Sequence, residues 1–185
     1  MDLLSGIESR TSAIKLTDPA PTGEHIERII GAAVRAPDHG RLRPWRFVVL
    51  EGDARLALAD AMGDLLLRKN PAATAEQLDR ERRKPLRAPA IIAVAAHITP
   101  GKIPEIEQVL AVGAAVQNMM LAAHALGYGA MWKTGGAAYD AGIKQMLGLS
   151  ADDHIVAFLY LGTTAVPGPR APSSTEGIVR WLERT

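Results

Sequence analysis

The chain predicts an α+β fold in which one central β-sheet is covered by helices. Segments with apolar residues at helical spacing and segments rich in β-formers follow one another without strict alternation, which favours α+β over a doubly wound parallel sheet. One run, "APAIIAVAAHI" (residues 88–98), is apolar without interruption, as expected of a strand buried on both faces. At 185 residues, 48% hydrophobic and 22% charged, the chain has the composition and length for a sizeable core. No internal repeat or linker interrupts it, so residues 1–185 read as a single domain.

Each element has its own signal. In "TGEHIERIIGAAVRA" (residues 22–36), Ile26, Ile29, Ile30, Ala33 and Val34 share one helix face. Thr22 is placed to cap the start, Glu24 suits the positive first turn, and Pro37 stops the helix. "WRFVVLEG" (residues 45–52) reads as a strand ended by Glu51-Gly52, and "DARLALADAMGDLLLRKN" as a helix. Charge density jumps over residues 68–88. Thr74 and Gln77 form a capping box there, and Glu76/Arg80 and Asp79/Arg83 are opposite charges four apart. This predicts a solvated surface helix, and it is also the element best suited to cover a substrate. Residues 105–126 give the longest helix, apolar nearly all round and therefore buried. Gln108, Gln117, Asn118 and His124 argue against a membrane span, while Gly113, Ala114 and Ala115 offer a smooth surface to another helix. Gly127 and Gly129 end it. "AMWKTGG" then predicts a short strand and turn, "DAGIKQMLGL" a short helix, "HIVAFLYLG" (residues 154–162) a strand, "VPGPRAP" a loop and "SSTEGIVRWLER" a final helix.

Composition excludes several functions. Net charge is +1, which gives no reason to expect a nucleic-acid or acidic-membrane partner. The absence of cysteine removes disulfides, thiolate nucleophiles and sulfur-ligated zinc, and fits a cytoplasmic protein. "MDLLSGIESR" lacks the apolar run of a signal peptide. The five histidines show no metal-ligand spacing, and no phosphate-binding P-loop, zinc-protease or nucleophile-elbow motif occurs. "GYGAMW" lacks the third glycine of a dinucleotide fingerprint and follows a helix, not a strand. With neither nucleophile nor metal, catalysis would fall to an organic cofactor.

Three separated segments point to which cofactor. "ESRTSAIKL", "APDHGRLRPWRF" and "GAAVQNMMLAAHALGYGAMWKTG" resemble, in order and spacing, the signature stretches of the FMN-dependent nitroreductase family, in particular its short bacterial branch. The resemblance extends through "LYLGT". It implies a nitroreductase-like fold, a central mixed sheet flanked by helices, and an intertwined homodimer with FMN across the subunit interface. It also implies ping-pong hydride transfer from NADH or NADPH through FMN to a nitroaromatic, quinone or similar small acceptor, with no catalytic side chain required.

The resemblance further implies that Arg10, Thr11 and Ser12 hold the FMN phosphate and ribityl chain. Their chemistry suits this, since arginine clamps phosphate in bidentate fashion and the hydroxyls add donors. Arg35 and His39 match positions that reach the flavin, His39 from the partner subunit. Trp132, Lys133, Thr134 and Gly135 match the strand and turn beside the ring, where a cation raises the reduction potential. Arg170 resembles a C-terminal phosphate-binding arginine. In "GRLRPW" the family's asparagine is absent and Arg43 stands in place of a glutamine, so Arg43 is a further candidate flavin contact. Pro44 is expected to hold Arg43 extended. Thr11 replaces an arginine common in the branch, so the redox potential is open to change. A flavin-binding module without turnover, and another redox activity on the same FMN site, are the alternatives.

Overall fold

The computed structural model describes residues 2–170 and 174–182. Its elements in chain order are α1 (Leu3–Ser9), β1 (Lys15–Thr17), α2 (Gly23–Ala33), β2 (Trp45–Glu51), α3 (Asp53–Lys69), α4 (Ala75–Arg82), β3 (Ala90–Ala96), α5 (Glu105–Ala125), β4 (Gly129–Lys133), α6 (Ala141–Met146) and β5 (His154–Val166). The central sheet runs β1-β5-β3-β2, with β4 also paired to β5, and each of these four ladders is antiparallel.

The uninterrupted apolar run becomes β3, buried at every position. Its side chains alternate between two cores. Ile92 and Val94 meet α2 and α5, whereas Ile91, Ala93 and Ala95 meet α3 and α6. Three layers result, helices on each side of the sheet. Burying a side chain such as Ile29, Ile91 or Ile92 completely is worth roughly 1.5–3 kcal/mol each. A register shift between Val94 and Ala95 leaves Val156 without a partner in the β3 ladder.

The caps form as the sequence requires. Thr22 accepts from His25 N–H, and both hydrogen bonds of the Thr74–Gln77 box are present. Glu76–Arg80 and Asp79–Arg83 pair at 3.1 and 2.8 Å, and no residue of α4 is buried. In α5, buried Gln108 has its amide bound by Thr99 and Ile103, and Asn118 donates to Ala32 O of α2. Among the described residues α5 is also the only helix long and apolar enough to span a membrane. Its inner face, including Ala115, lies in the core, while Ile106 and Leu110 are 61% and 63% exposed.

Three expectations are corrected. β5 continues past Gly162 to Val166, because β1 supplies a partner for its last residues. α1 and β1 themselves had no sequence signal. The final helix is absent among residues 174–182, which hold only a turn closed by Ile178 N–H to Thr175 O, with Gly177 at φ 75°. Short helices draw their stability from tertiary packing. Here Ile178, Trp181 and Leu182 are exposed, with nothing among the described residues to cover them. Ser173 and residues 183–184 of that expected helix lie outside the described residues.

Asp153 links the ends of β3 and β5. Burial opposes its ionisation, but Ser150 N–H (2.9 Å) and His97 Nδ1 (2.8 Å) hold its pKa below the ordinary 3.8. A depressed carboxylate stabilises the fold above its unfolded pKa, and that contribution is lost as pH falls through the folded value. Asp153→Asn should therefore cost about 1–3 kcal/mol at pH 6. The deficit relative to the parent should shrink as urea unfolding is repeated from pH 5 down to pH 3. A deficit that is constant with pH would remove Asp153 from the acid transition.

Candidate functional site

The N-terminal candidates sit in a turn fixed by distant strands. α1 ends with Arg10 N–H bound to Gly6 O. Ala13 N–H then reaches Ala130 O of β4 (3.0 Å) and Ile14 N–H reaches Val166 O of β5 (2.9 Å). Arg10 and Thr11 thereby line a cavity of about 160 Å³ against Met120 and His124 of α5. His124 is held by Ser9 Oγ at 2.9 Å. Arg10 Nη1 is buried and has no hydrogen-bond partner among the described residues. A buried cationic nitrogen left unpartnered is costly, and it is the group a phosphate would satisfy. The chain leaving β5 crosses this turn so closely that a Cβ at Gly168 would overlap the Ser12 carbonyl oxygen. Arg170, exposed, follows two residues later.

β4 presents its candidates on opposite faces. Trp132 turns towards α5. Its Nε1–H donates to Val156 O (3.0 Å), the carbonyl freed by the register shift, and its ring edge lies over Gly113. Lys133, Thr134 and Gly135 instead wall a cavity of about 500 Å³ on the α3 side. Gly135, at φ 73°, makes a turn that a side chain would strain. Leu65, Phe158 and Tyr160 form an apolar floor, and burial pushes the Tyr160 hydroxyl up to about 12, with Arg87 pulling weakly the other way. Around the rim stand Lys69, Lys84, Arg87 and Lys133, with Lys84 bound to Glu81 at 2.5 Å. The sequence reading missed Lys69, Lys84 and Arg87 individually. The jump in charge over residues 68–88 was their only trace.

The loop of residues 36–44 lies elsewhere. His39 Nδ1 contacts Glu107 Oε2 at 2.5 Å, near the N-terminus of α5, and Gly40 rests against Ile103. Pro44 does not hold Arg43 extended. Arg43 adopts φ 51° and Arg41 φ 54°, both in the left-handed region, where a non-glycine residue costs of order 1–2 kcal/mol. Asp38 overrides the expected bias by accepting Arg43 N–H at 2.7 Å. Arg35, past the end of α2, is exposed. Glu107 and His124 are 17 residues apart on α5, or about 25 Å at 1.5 Å per residue. Within one chain, then, the His39 loop and the Arg10 turn lie at opposite ends of the same helix.

The sequence as a whole matches the model of the nitroreductase family over residues 7–163. It is 39% identical over 166 residues to the "Putative NAD(P)H nitroreductase YdjA" of Escherichia coli, covering 88% of each chain. A "Putative NAD(P)H nitroreductase" of Haemophilus influenzae is 36% identical over 88% of this chain and 89% of that one. Among solved structures, a nitroreductase-like family protein from Bacillus cereus superposes with a TM-score of 0.85 at 26% identity, over 100% of this chain and 97% of the other. A nitroreductase from Desulfovibrio desulfuricans, crystallised in complex with FMN, gives 0.71 at 29% identity over 97% of both. Fold, signature segments and relatives agree, and the chain belongs to the nitroreductase family.

Proposed function

We propose that this chain is an FMN-dependent NAD(P)H oxidoreductase of the nitroreductase type, acting as a homodimer with FMN at the subunit interface. The observation that carries the reading is the buried, unpartnered Arg10 Nη1 beside Thr11 in a small cavity. When bound, FMN supplies hydride transfer between a nicotinamide and a small acceptor such as a nitroaromatic or a quinone.

The chain's own residues bind, orient and tune. Arg10 binds phosphate with charge-assisted hydrogen bonds, Thr11 and Ser12 add donors, and Arg170 adds charge from the segment that crosses Ser12. Trp132, Lys133, Thr134 and Gly135 border the ring, and Lys133 favours negative charge on it. No side-chain acid or base is required. Arg35, His39 and Arg43 serve the flavin of the other subunit, since His39 is too far from its own Arg10 turn. Glu107 holds His39 through its Nδ1, which fixes the ring by one nitrogen.

The dimer reading rests on unpartnered apolar surface. Ile106 and Leu110 of α5 are exposed, and so are Leu3, Leu4 and Ile7 of α1. A two-fold pairing of antiparallel α5 helices covers this stripe. It also brings the partner's His39 loop to the Arg10 end of the helix. The test is an absorbance spectrum of protein titrated with FMN, followed by anaerobic NADH or NADPH. Flavin bands should form and then bleach with at least one donor. Bands that form but stay coloured with both nucleotides would leave a flavin-binding module. Failure to take up FMN would refute the assignment at its site.

A further inference from the structure

The larger cavity carries a charge pattern that its surface location does not explain. Solvated helices such as α4 pair their cations with acids one turn away, as Arg80 and Arg83 do. The cavity's cations differ in origin and in pairing. Lys69 ends α3, Arg87 closes the turn after α4, and Lys133 ends β4, so no helical periodicity places them together. None of these three has an acidic partner among the described residues, whereas Lys84 is neutralised by Glu81. In a chain of net charge +1, three uncompensated cations thus surround one apolar floor.

We propose that this cavity binds an aromatic anion, its ring on the Phe158–Tyr160 floor and its carboxylate or sulfonate facing Lys69, Arg87 and Lys133. Resting on the flavin reading above, this identifies the preferred acceptors as negatively charged aromatics rather than neutral ones. The dimensions favour such an acceptor over the extended donor nucleotide, since about 500 Å³ lies in the range that holds a compact small molecule. The nearness of Lys69 to the glycine turn supports the assignment. A Cβ at Gly136 would lie 3.4 Å from Lys69 Nζ, so the cation stands against the same turn that borders the flavin ring. Lys69 and Arg87 are specificity-determining residues in this scheme.

The probes are 2-naphthoate and its neutral isostere 2-naphthamide, titrated calorimetrically into FMN-saturated protein at low ionic strength. Naphthoate should bind about tenfold more tightly, and the ratio should contract in 0.5 M salt as the cations are screened. In the double variant Lys69→Gln/Arg87→Gln the ratio should fall towards one. Lys69→Arg/Arg87→Lys, which keeps both charges, should preserve it and guards against loss through misfolding. Equal affinities in the parent protein, or a ratio untouched by removal of both charges, would overturn the inference while leaving the flavin reading intact. A protein that takes up no FMN would instead overturn the flavin reading, and the same titration on the protein as purified would still decide the anion preference.

Discussion

Arg10→Met should raise the dissociation constant for FMN about 100-fold, equivalent to roughly 2.7 kcal/mol. The same substitution should leave the affinity for riboflavin, which has no phosphate, nearly unchanged. In the apo-protein it should increase stability by about 1 kcal/mol, because it removes a buried donor that nothing among the described residues satisfies. The opposite signs make the test severe. A structural arginine would lose stability on truncation and would not distinguish the two flavins. Isothermal titration with FMN and riboflavin, and thermal unfolding without either, provide the three readings. Equal losses for both ligands would move the phosphate site away from Arg10.

The second large effect is expected at the exposed stripe of α5. Leu110→Glu places a charge at a position 63% exposed in the single chain but covered in the proposed dimer. Two-fold symmetry places the change on both sides of the interface, so its cost counts twice. The variant should elute as a folded monomer with unchanged helical circular dichroism. It should also retain little FMN, since the partner's Arg35 and His39 no longer reach it. Leu110→Met should behave as the parent. A Leu110→Glu protein that remains dimeric and yellow would place the interface elsewhere.

What the sequence disclosed, and what it hid, divides along a physical line. Features set by neighbours along the chain were legible: the face of α2, the box at Thr74, the run of β3. Features set by distant partners were not. β1 is only three residues long and exists because the end of β5 lies beside it. The final helix was expected from the local sequence alone, and among the described residues nothing packs against Ile178, Trp181 and Leu182. Arg43 was expected to follow Pro44 and follows Asp38 instead. Among the proposed site residues, Arg10–Ser12 and Trp132–Gly135 are contiguous segments, the kind of feature a resemblance can point to. Lys69, Arg87 and Lys133 come from three separate segments, and only the fold brings them to one rim.

The crossing of Gly168 over Ser12 has a consequence for how the protein matures. The proposed phosphate turn sits at residues 10–12, yet the next two residues are bonded to residues 130 and 166, and residue 168 crosses close over Ser12. During synthesis the segment of residues 10–14 must wait for these partners until residues 130–168 have followed. Closing so long a loop is slow relative to local helix formation, so this corner of the fold is among the last to settle. With the phosphate held at residues 10–12 as proposed, cofactor loading is expected to follow the docking of β5 beside this turn.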